Sequence, residues 1–304
     1  MCYQIHEDFN AIPIDFYSTR ESFSSVFEEQ RMQQLPLDKR NWSVAILEYT
    51  ADDEKHFDVI WDISHVVADG LSFVNLTQEL VDILDLQVNQ QPLDFQPLEL
   101  YDPVESYLPD PVSLDDYFSG QTNADKIKLD SLSHDFQASS SYFFRSVDSK
   151  QLEDLRQCGD DNKVTVNNLI NASLMKAYFE LSQTSYPVTL GTALNLRNKC
   201  VPKIQRNICG NYFCAVTSVF EDHELQLSPL KLAQLQRNKL GDLIAASSYL
   251  PTDYDAHIMQ EKVKSNMLNE SLTQEETLGS SFMGEVNISS KAVNLSSHDT
   301  CLFE

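Results

Sequence analysis

One short run of the chain joins a titratable base, a carboxylate and a flexible turn: His65-Val66-Val67-Ala68-Asp69-Gly70. An unperturbed imidazole titrates near pH ~6.5, so it can take up and return a proton at neutral pH. The chemistry this suits is removal of a proton from an attacking nucleophile. Another reading of the same residues stays open, in which His65 is a core histidine with a backbone partner and Asp69 merely caps the following helix. Two ligands do not satisfy zinc and no second pair stands at a suitable spacing, so no metal site is expected.

A second run, Arg197-Asn198-Lys199-Cys200-Val201-Pro202-Lys203-Ile204-Gln205-Arg206, carries four basic residues and no acid. The whole chain has 46 acidic against 22 basic residues, a formal net charge of −24. An anionic cofactor phosphate would be drawn to Lys199, Lys203 and Arg206; the plainer reading is a solvated loop. The overall charge argues against nucleic acid and against anionic lipid surfaces as partners.

The elements that must position these residues can be read from periodicity. Trp42–Tyr49 is apolar and β-prone, Thr50–Lys55 is a polar turn, and His56–Val67 runs extended again, which predicts a hairpin. On the second strand Phe57, Val59, Trp61, Ile63 and His65 share a face by the two-residue period. Phe73, Leu76, Leu80 and Leu84 then recur at helical spacing, predicting a helix over Leu71–Leu84. The unit is strand, turn, helix, with His65 at the strand's end.

Between Leu86 and Ser140 periodicity fades, and five of the 11 prolines fall there, so this stretch reads as a connection between two lobes. The division expected is 1–90 for a first lobe, 91–140 for the connection and 141–304 for a second lobe. That second lobe opens with a β-prone run, Tyr142–Val147, and a helix that Asp148 can cap and Gly159 can end. Another helix covers about Thr165–Leu181, with Val166, Leu169, Ile170, Ser173, Ala177 and Leu181 on one face. Tyr186–Leu196 and Tyr212–Phe220 read as strands. Ser228-Pro229 starts a helix to about Ala246, a further helix is expected near Ala256–Leu268, and Phe282–Ile288 reads as a last strand.

At 304 residues and 42% hydrophobic content, the chain can bury a substantial core. No charged start with an apolar run follows Met1, and no run of ~18 apolar residues could span a bilayer, so a cytoplasmic address is expected. Peripheral attachment to an internal membrane is compatible with that address. The six cysteines show no metal-type spacing and read as reduced thiols. The glycosylation sequons at Asn75, Asn171, Asn269, Asn287 and Asn294 read as chance occurrences.

Several pieces, taken in order, carry a family likeness. They are Phe57-Asp58-Val59-Ile60 leading into His65-Val66-Val67-Ala68-Asp69-Gly70-Leu71-Ser72, the helical Leu152–Cys158 stretch, Val164-Thr165-Val166, Leu194-Asn195-Leu196-Arg197 and Gly210-Asn211-Tyr212. Together they span most of Trp42–Phe220. The chain resembles the alcohol O-acetyltransferases, fungal relatives of the plant BAHD acyltransferases and of peptide-synthetase condensation domains.

The resemblance implies an α/β (α+β) fold of two chloramphenicol-acetyltransferase-like lobes, mixed sheets backed by helices, with a channel between them. It implies acetyl-CoA or another acyl-CoA as co-substrate, and a small alcohol as acceptor, with His65 as general base. By the same resemblance Asp69 pairs with Arg197 and holds the turn, Gly70 closes it, and Gly210 and Asn211 line the channel or steady an oxyanion.

The sequence also departs from the pattern. Ser64 stands where condensation domains usually carry a second histidine, so free-standing acyl transfer is expected rather than peptide-bond formation. His65 lies close to Met1, which leaves no room for the usual first strand and helix, and the family's closing strands are missing. The chain therefore reads as truncated at both ends, with a partner chain expected if that truncation is real. Two other functions stay open: a non-catalytic binding or interaction protein on the same scaffold, and N-acylation of an amine or sphingoid-like acceptor.

Overall fold

The computed structural model describes residues 14–18, 23–32, 41–51, 53–93, 101–109, 145–182, 187–247 and 278–291. The chain divides into two units that are discontinuous in sequence. The first comprises Met1–Pro103 with Arg206–Asn211 and Ile288–Val293; the second comprises Val104–Gln205, Tyr212–Asn287 and Asn294–Glu304. Each holds a small mixed sheet with helices, so the fold class is α/β.

In the first unit the order is β1 (Ile14–Ser18), α1 (Phe23–Met32), β2 (Trp42–Ala51), β3 (Glu54–Ile63) and α2 (Gly70–Val88). The strands lie in the order β1-β2-β3, with β1 parallel to β2 and β2 antiparallel to β3. A strand and a helix thus do precede the hairpin, against expectation. The five-residue β1 is too short to announce itself, and it gains its order by pairing along Val44–Glu48 of β2.

Pairing of β2 with β3 runs from Trp42↔Ile63 to Ala51↔Glu54, so the turn is tighter than the predicted Thr50–Lys55. Asp53 adopts φ 61°, the left-handed conformation a short hairpin turn requires and one that aspartate tolerates. The predicted apolar row is not the buried one: Phe57 is 57% exposed and Val59 49%. On β2 the buried residues are Ser43, Ala45 and Leu47, and these stand opposite Asp62, Ile60 and Asp58. Burial there pushes the Asp62 carboxyl above the ordinary carboxylate range.

The second unit contains α3 (Ser149–Asn162), α4 (Val166–Ser182), β4 (Val188–Asn195), β5 (Phe213–Phe220), a single turn α5 (Asp222–Leu225), α6 (Pro229–Ala245) and β6 (Leu278–Ser280). Its sheet order is β5-β4-β6, with β4 antiparallel to β5 and parallel to β6. Val188, Leu190 and Phe220 meet Ala172 and Met175 of α4, and Leu232 and Ala233 of α6, in one core. Each large side chain fully buried there contributes roughly 1.5–3 kcal/mol.

Several local signals act as read, and several do not. Asp148 caps α3 through a reciprocal box with Gln151, and Pro229 opens α6. Gly159 does not end α3, which continues to Asn162 and closes on Lys163 at φ 56°. Arg145–Val147 forms no strand, and Tyr142–Phe144 and Ala256–Leu268 fall outside the described residues. The last strand lies at Leu278–Ser280 rather than Phe282–Ile288, a run that Gly284 interrupts at φ 74°.

Two of the long helices, α2 and α4, bury a different face from the one predicted. In α2 the buried residues are Ser72, Val81 and Asp85, while Leu84 is 42% exposed. In α4 they are Asn168, Asn171, Ala172 and Met175, while Leu181 is 83% exposed. Asn171 is wholly buried, which closes its sequon to glycosylation in the folded chain.

A glycine inside a helix ordinarily costs about 1 kcal/mol relative to alanine. Gly159 reverses that sign, because a Cβ there would stand 2.7 Å from the Val164 carbonyl oxygen, a backbone atom that cannot swing away. Gly159→Ala is therefore expected to destabilise the fold, by ~1–3 kcal/mol of overpacking less the ~1 kcal/mol propensity gain, and so to lower the melting temperature; a variant that melts higher refutes the close-approach argument. For Asp62 the raised carboxyl means that the native state holds its proton more tightly than the unfolded chain. Its contribution to stability therefore declines as pH rises from about 4 through the raised folded value, and stays unfavourable above it. Asp62→Asn is expected to melt above the wild type at pH 7, with the gap closing below pH ~4 in thermal scans; a gap independent of pH refutes the assignment.

Candidate active site

Strand β3 stops at Ile63, and the chain turns at Ser64–Val67 before α2 begins at Gly70. His65 therefore rides on the turn and not on the strand. The turn is built by its own residues: Val67 N–H donates to Ser64 C=O (3.0 Å) and Val66 N–H to Ser64 Oγ (3.3 Å). Ser64 N–H donates in turn to Asn41 C=O at 2.8 Å, which fixes the turn to the end of the hairpin. His65 is half-buried, with its Nδ1 shielded from solvent. Upstream, Trp61 meets Phe73 of α2, ring centroids 5.7 Å apart, so the strand and the helix on either side of the turn touch.

Asp69 is buried at 4% exposure and is the N-cap of α2, with extended backbone and its Oδ1 accepting from Ser72 N–H at 2.9 Å. The helix dipole favours a carboxylate at this position. The capping part of the plain reading is thus correct, and Asp69 does more besides. Ser72 Oγ lies 2.8 Å from Asp69 Oδ1 and 2.8 Å from Gly210 C=O. A hydroxyl has one proton, and the ionised acceptor takes it in preference. Gly210 C=O is then served by Asp69 N–H at 3.1 Å, while Gly210 N–H donates to Ser72 Oγ at 3.0 Å.

This stitch between α2 and the 206–211 segment is what sequence reading missed. Ser72 is wholly buried and Ser64 shapes the His65 turn, yet neither was a candidate. A serine three residues after an N-cap aspartate was the available signal. Gly210, expected to line a channel or steady an oxyanion, has its backbone N–H and C=O engaged with Ser72 and Asp69. Gly70 is the first residue of α2, and Asn211, next along the segment, keeps its Oδ1 buried.

The remaining predicted residues divide between the units. Arg206 belongs to the first, where its carbonyl accepts from Asn75 Nδ2 at 2.8 Å and its side chain is exposed. Arg197, Lys199 and Lys203 belong to the second. Arg197 is 2% exposed, its guanidinium carbon 4.7 Å from the centre of the Tyr212 ring, and its N–H donates to Asn195 Oδ1 at 3.0 Å. Such stacking partly replaces the hydration a buried guanidinium loses. Beside it, burial raises the Cys200 thiol while the Arg197 charge opposes that rise. Lys199 is half-buried and Lys203 exposed. Among the described residues no group of three or more His, Cys, Asp or Glu could hold a metal ion, and no helix is long and apolar enough to cross a membrane.

A family model described as "Transferase family" matches residues 57–289, which include His65, Asp69, Arg197, Gly210 and Asn211. The chain belongs to that family. Solved structures agree on the fold. The first condensation domain of the CDA synthetase is similar at a TM-score of 0.54 and 14% identity, over 81% of this chain and 56% of that one. Polyketide synthase associated protein 5 from Mycobacterium tuberculosis is similar at 0.53 and 14%, over 81% and 60%. The epimerization domain from the third module of tyrocidine synthetase B is similar at 0.50 and 14%, over 79% and 58%. The chain thus spans under two thirds of the length of each. No curated protein matches it in sequence. At such identities the likeness establishes the fold alone, which is of condensation-domain type.

Ser72→Ala removes a charge-assisted bond, worth ~1.5–3 kcal/mol, and takes away the partner of the half-buried Gly210 N–H, which solvent replaces only in part. We expect a fall in unfolding free energy of about 2–4 kcal/mol, read by urea titration. An unchanged midpoint and slope would show that the stitch carries no weight.

Proposed function

We propose that this transferase moves an acetyl or other acyl group from acyl-CoA to a small alcohol, forming an ester, with His65 as general base. The observation that supports this most directly is the placing of His65 on a turn held at both ends, by Ser64 on one side and by the Asp69 cap on the other. A base for such a reaction needs a ring of fixed direction that is only partly screened from solvent. His65, half-buried with a shielded Nδ1, has that character.

The chemistry follows in balance. The acceptor oxygen attacks the thioester carbonyl carbon as its proton passes to the His65 imidazole, and a tetrahedral intermediate forms. That intermediate collapses with cleavage of the carbon–sulfur bond, the leaving thiolate takes the proton back from the imidazolium, and ester and CoA depart. No acyl-enzyme is formed. An amine acceptor would follow the same proton path and yield an amide.

Asp69 acts here as a positioning residue through its cap and its bond to Ser72, and we assign Arg197 as its cation. Burying either charge without a counterpart costs several kcal/mol, and Arg197 is the buried cation that the family likeness supplies. Lys199, Lys203 and Arg206 are the residues proposed to meet the anionic phosphates of CoA, and Asn211 to steady the oxyanion.

The test is release of CoA from acetyl-CoA in the presence of a panel of alcohols and amines, with the products identified by mass. His65→Ala is expected to lower the rate by ~100-fold or more while the melting curve is kept. A near wild-type rate in that variant would disprove the base assignment. Neither binding nor turnover of any acyl-CoA by the wild-type chain would establish a non-catalytic scaffold in its place.

A further inference from the structure

Helix α4 buries two carboxamides beside Ala172 and Met175 while it leaves three aliphatic side chains outside. Ile170, Leu174 and Leu181 are 40%, 46% and 83% exposed, while Asn168 and Asn171 are 4% and 0% exposed. A quarter-turn of this helix would exchange carboxamides for aliphatic side chains in the core, so something other than apolar burial fixes its orientation. Asn168 has an evident task. Its Oδ1 accepts from Thr165 N–H (2.9 Å) and Oγ1 (2.8 Å), and its Nδ2 donates to Gln236 Oε1 of α6.

Asn171 has none of this. Both its Nδ2 and its Oδ1 are shielded from solvent and bonded to nothing among the described residues. The same holds for Gln236 Nε2, Thr192 Oγ1 and Ser218 Oγ. Buried polar atoms in native proteins are paired in the great majority of cases, with protein or with ordered water, so this grouping requires an explanation.

The fold brings these atoms into one layer. Val188, Leu190 and Phe220 face the helices, and Thr192 and Ser218 share their side of the ladder by the two-residue period. Thr192 pairs with Val216 and Ser218 with Leu190, so the two hydroxyls are diagonal neighbours across β4 and β5. Over them, α4 is pinned by Ser280 Oγ donating to Asn167 Oδ1 at 3.2 Å, and Ser280 is the β6 partner of Thr192. Asn171 follows Asn167 by one helical turn on the same side. Gln236 is tied to Asn168, one turn before Asn171 on its other flank.

The set offers amide donors from Asn171 and Gln236, an amide acceptor from Asn171, and two hydroxyls that can serve either way. None of these groups carries a charge, so the set does not select an ion. Their shielding from solvent admits only a very small occupant, and the mixture of donors and acceptors matches one that gives and accepts in equal measure. We infer that the core of this unit binds internal water, held by Asn171 and bridged to Thr192, Ser218 and Gln236. Such water would explain why α4 presents carboxamides inward, since each amide then completes a network rather than standing unpaired.

The experiment is oxygen-17 relaxation dispersion on the intact chain, which counts waters held for longer than the tumbling time, with thermal unfolding as a companion. The wild type is expected to show a dispersion from long-lived internal water. Asn171→Leu, of similar volume, should lose part of that amplitude and melt several degrees lower because the three partners are stranded. No dispersion in the wild type, or an undiminished amplitude in a folded Asn171→Leu chain, overturns the inference. Should Asn171→Leu fail to fold, Ser218→Ala decides: a smaller amplitude supports the bound water and an unchanged one refutes it.

Discussion

The first unit depends on a polar seam along α2. Ser72, Asn75 and Gln78 follow one another at about one helical turn and Asp85 lies two turns further on, and each binds chain that has come back from far along the sequence. Asn75 and Ser72 hold Arg206 and Gly210. Gln78 exchanges two bonds with the backbone of Ser289, at 2.9 and 3.0 Å. Asp85 accepts from Ser290 Oγ, and from Lys291 N–H at 2.6 Å. These contacts span sequence separations of 131 to 211 residues. Each doubling of a loop adds only ~0.6 kcal/mol of closure entropy, so a few such bonds at ~0.5–1.5 kcal/mol each, more for the carboxylate, suffice to keep both returns in place.

That seam sets what the His65 turn can do. The turn is tied to the hairpin through Ser64 and Asn41, and to the start of α2 through Asp69. The same Asp69 backbone N–H is bonded to Gly210, so the loop ahead of the helix, the helix itself and the returning segment form a single bonded cluster. A ring carried on such a cluster has its direction constrained by the backbone on both sides of it. Asp69 Oδ1 serves the first turn of the helix through Ser72 N–H and Oγ, and the catalytic burden proposed for this site falls on one imidazole.

The seam also explains which features were legible beforehand. Signals that act within a few residues were read correctly: Asp148 as a cap, Pro229 as a helix start, β4 and β5 as strands, and the onset of α2 after the Asp69-Gly70 step. The faces of α2 and α4 were not, and for a shared reason. Amphipathic reading assumes that the apolar stripe is the one buried, whereas Ser72, Asp85 and Asn168 are buried because they bond backbone or another buried side chain. No periodicity reveals that, since the partners lie a hundred residues or more away for Ser72 and Asp85. Gly159 failed as a stop signal for a related reason: its purpose is the close approach of Val164, which spacing alone does not disclose.

Charge gives the last constraint. A chain of net −24 repels anions at long range, the CoA proposed above included. Screening removes most of that repulsion, because at physiological ionic strength exposed charges farther apart than ~8 Å hardly interact. What counts is the charge within that radius, and Asn198–Arg206 contributes three cations and no acid. A buried guanidinium is subject to a different rule. Arg197 is 2% exposed and little screened, so its charge must be met at close range or its burial would be costly; the Tyr212 ring, its centre 4.7 Å from the guanidinium carbon, meets part of it within the same unit. An arginine kept under those terms marks a position where the second unit requires a fixed cation, which an exposed lysine of the same loop does not supply.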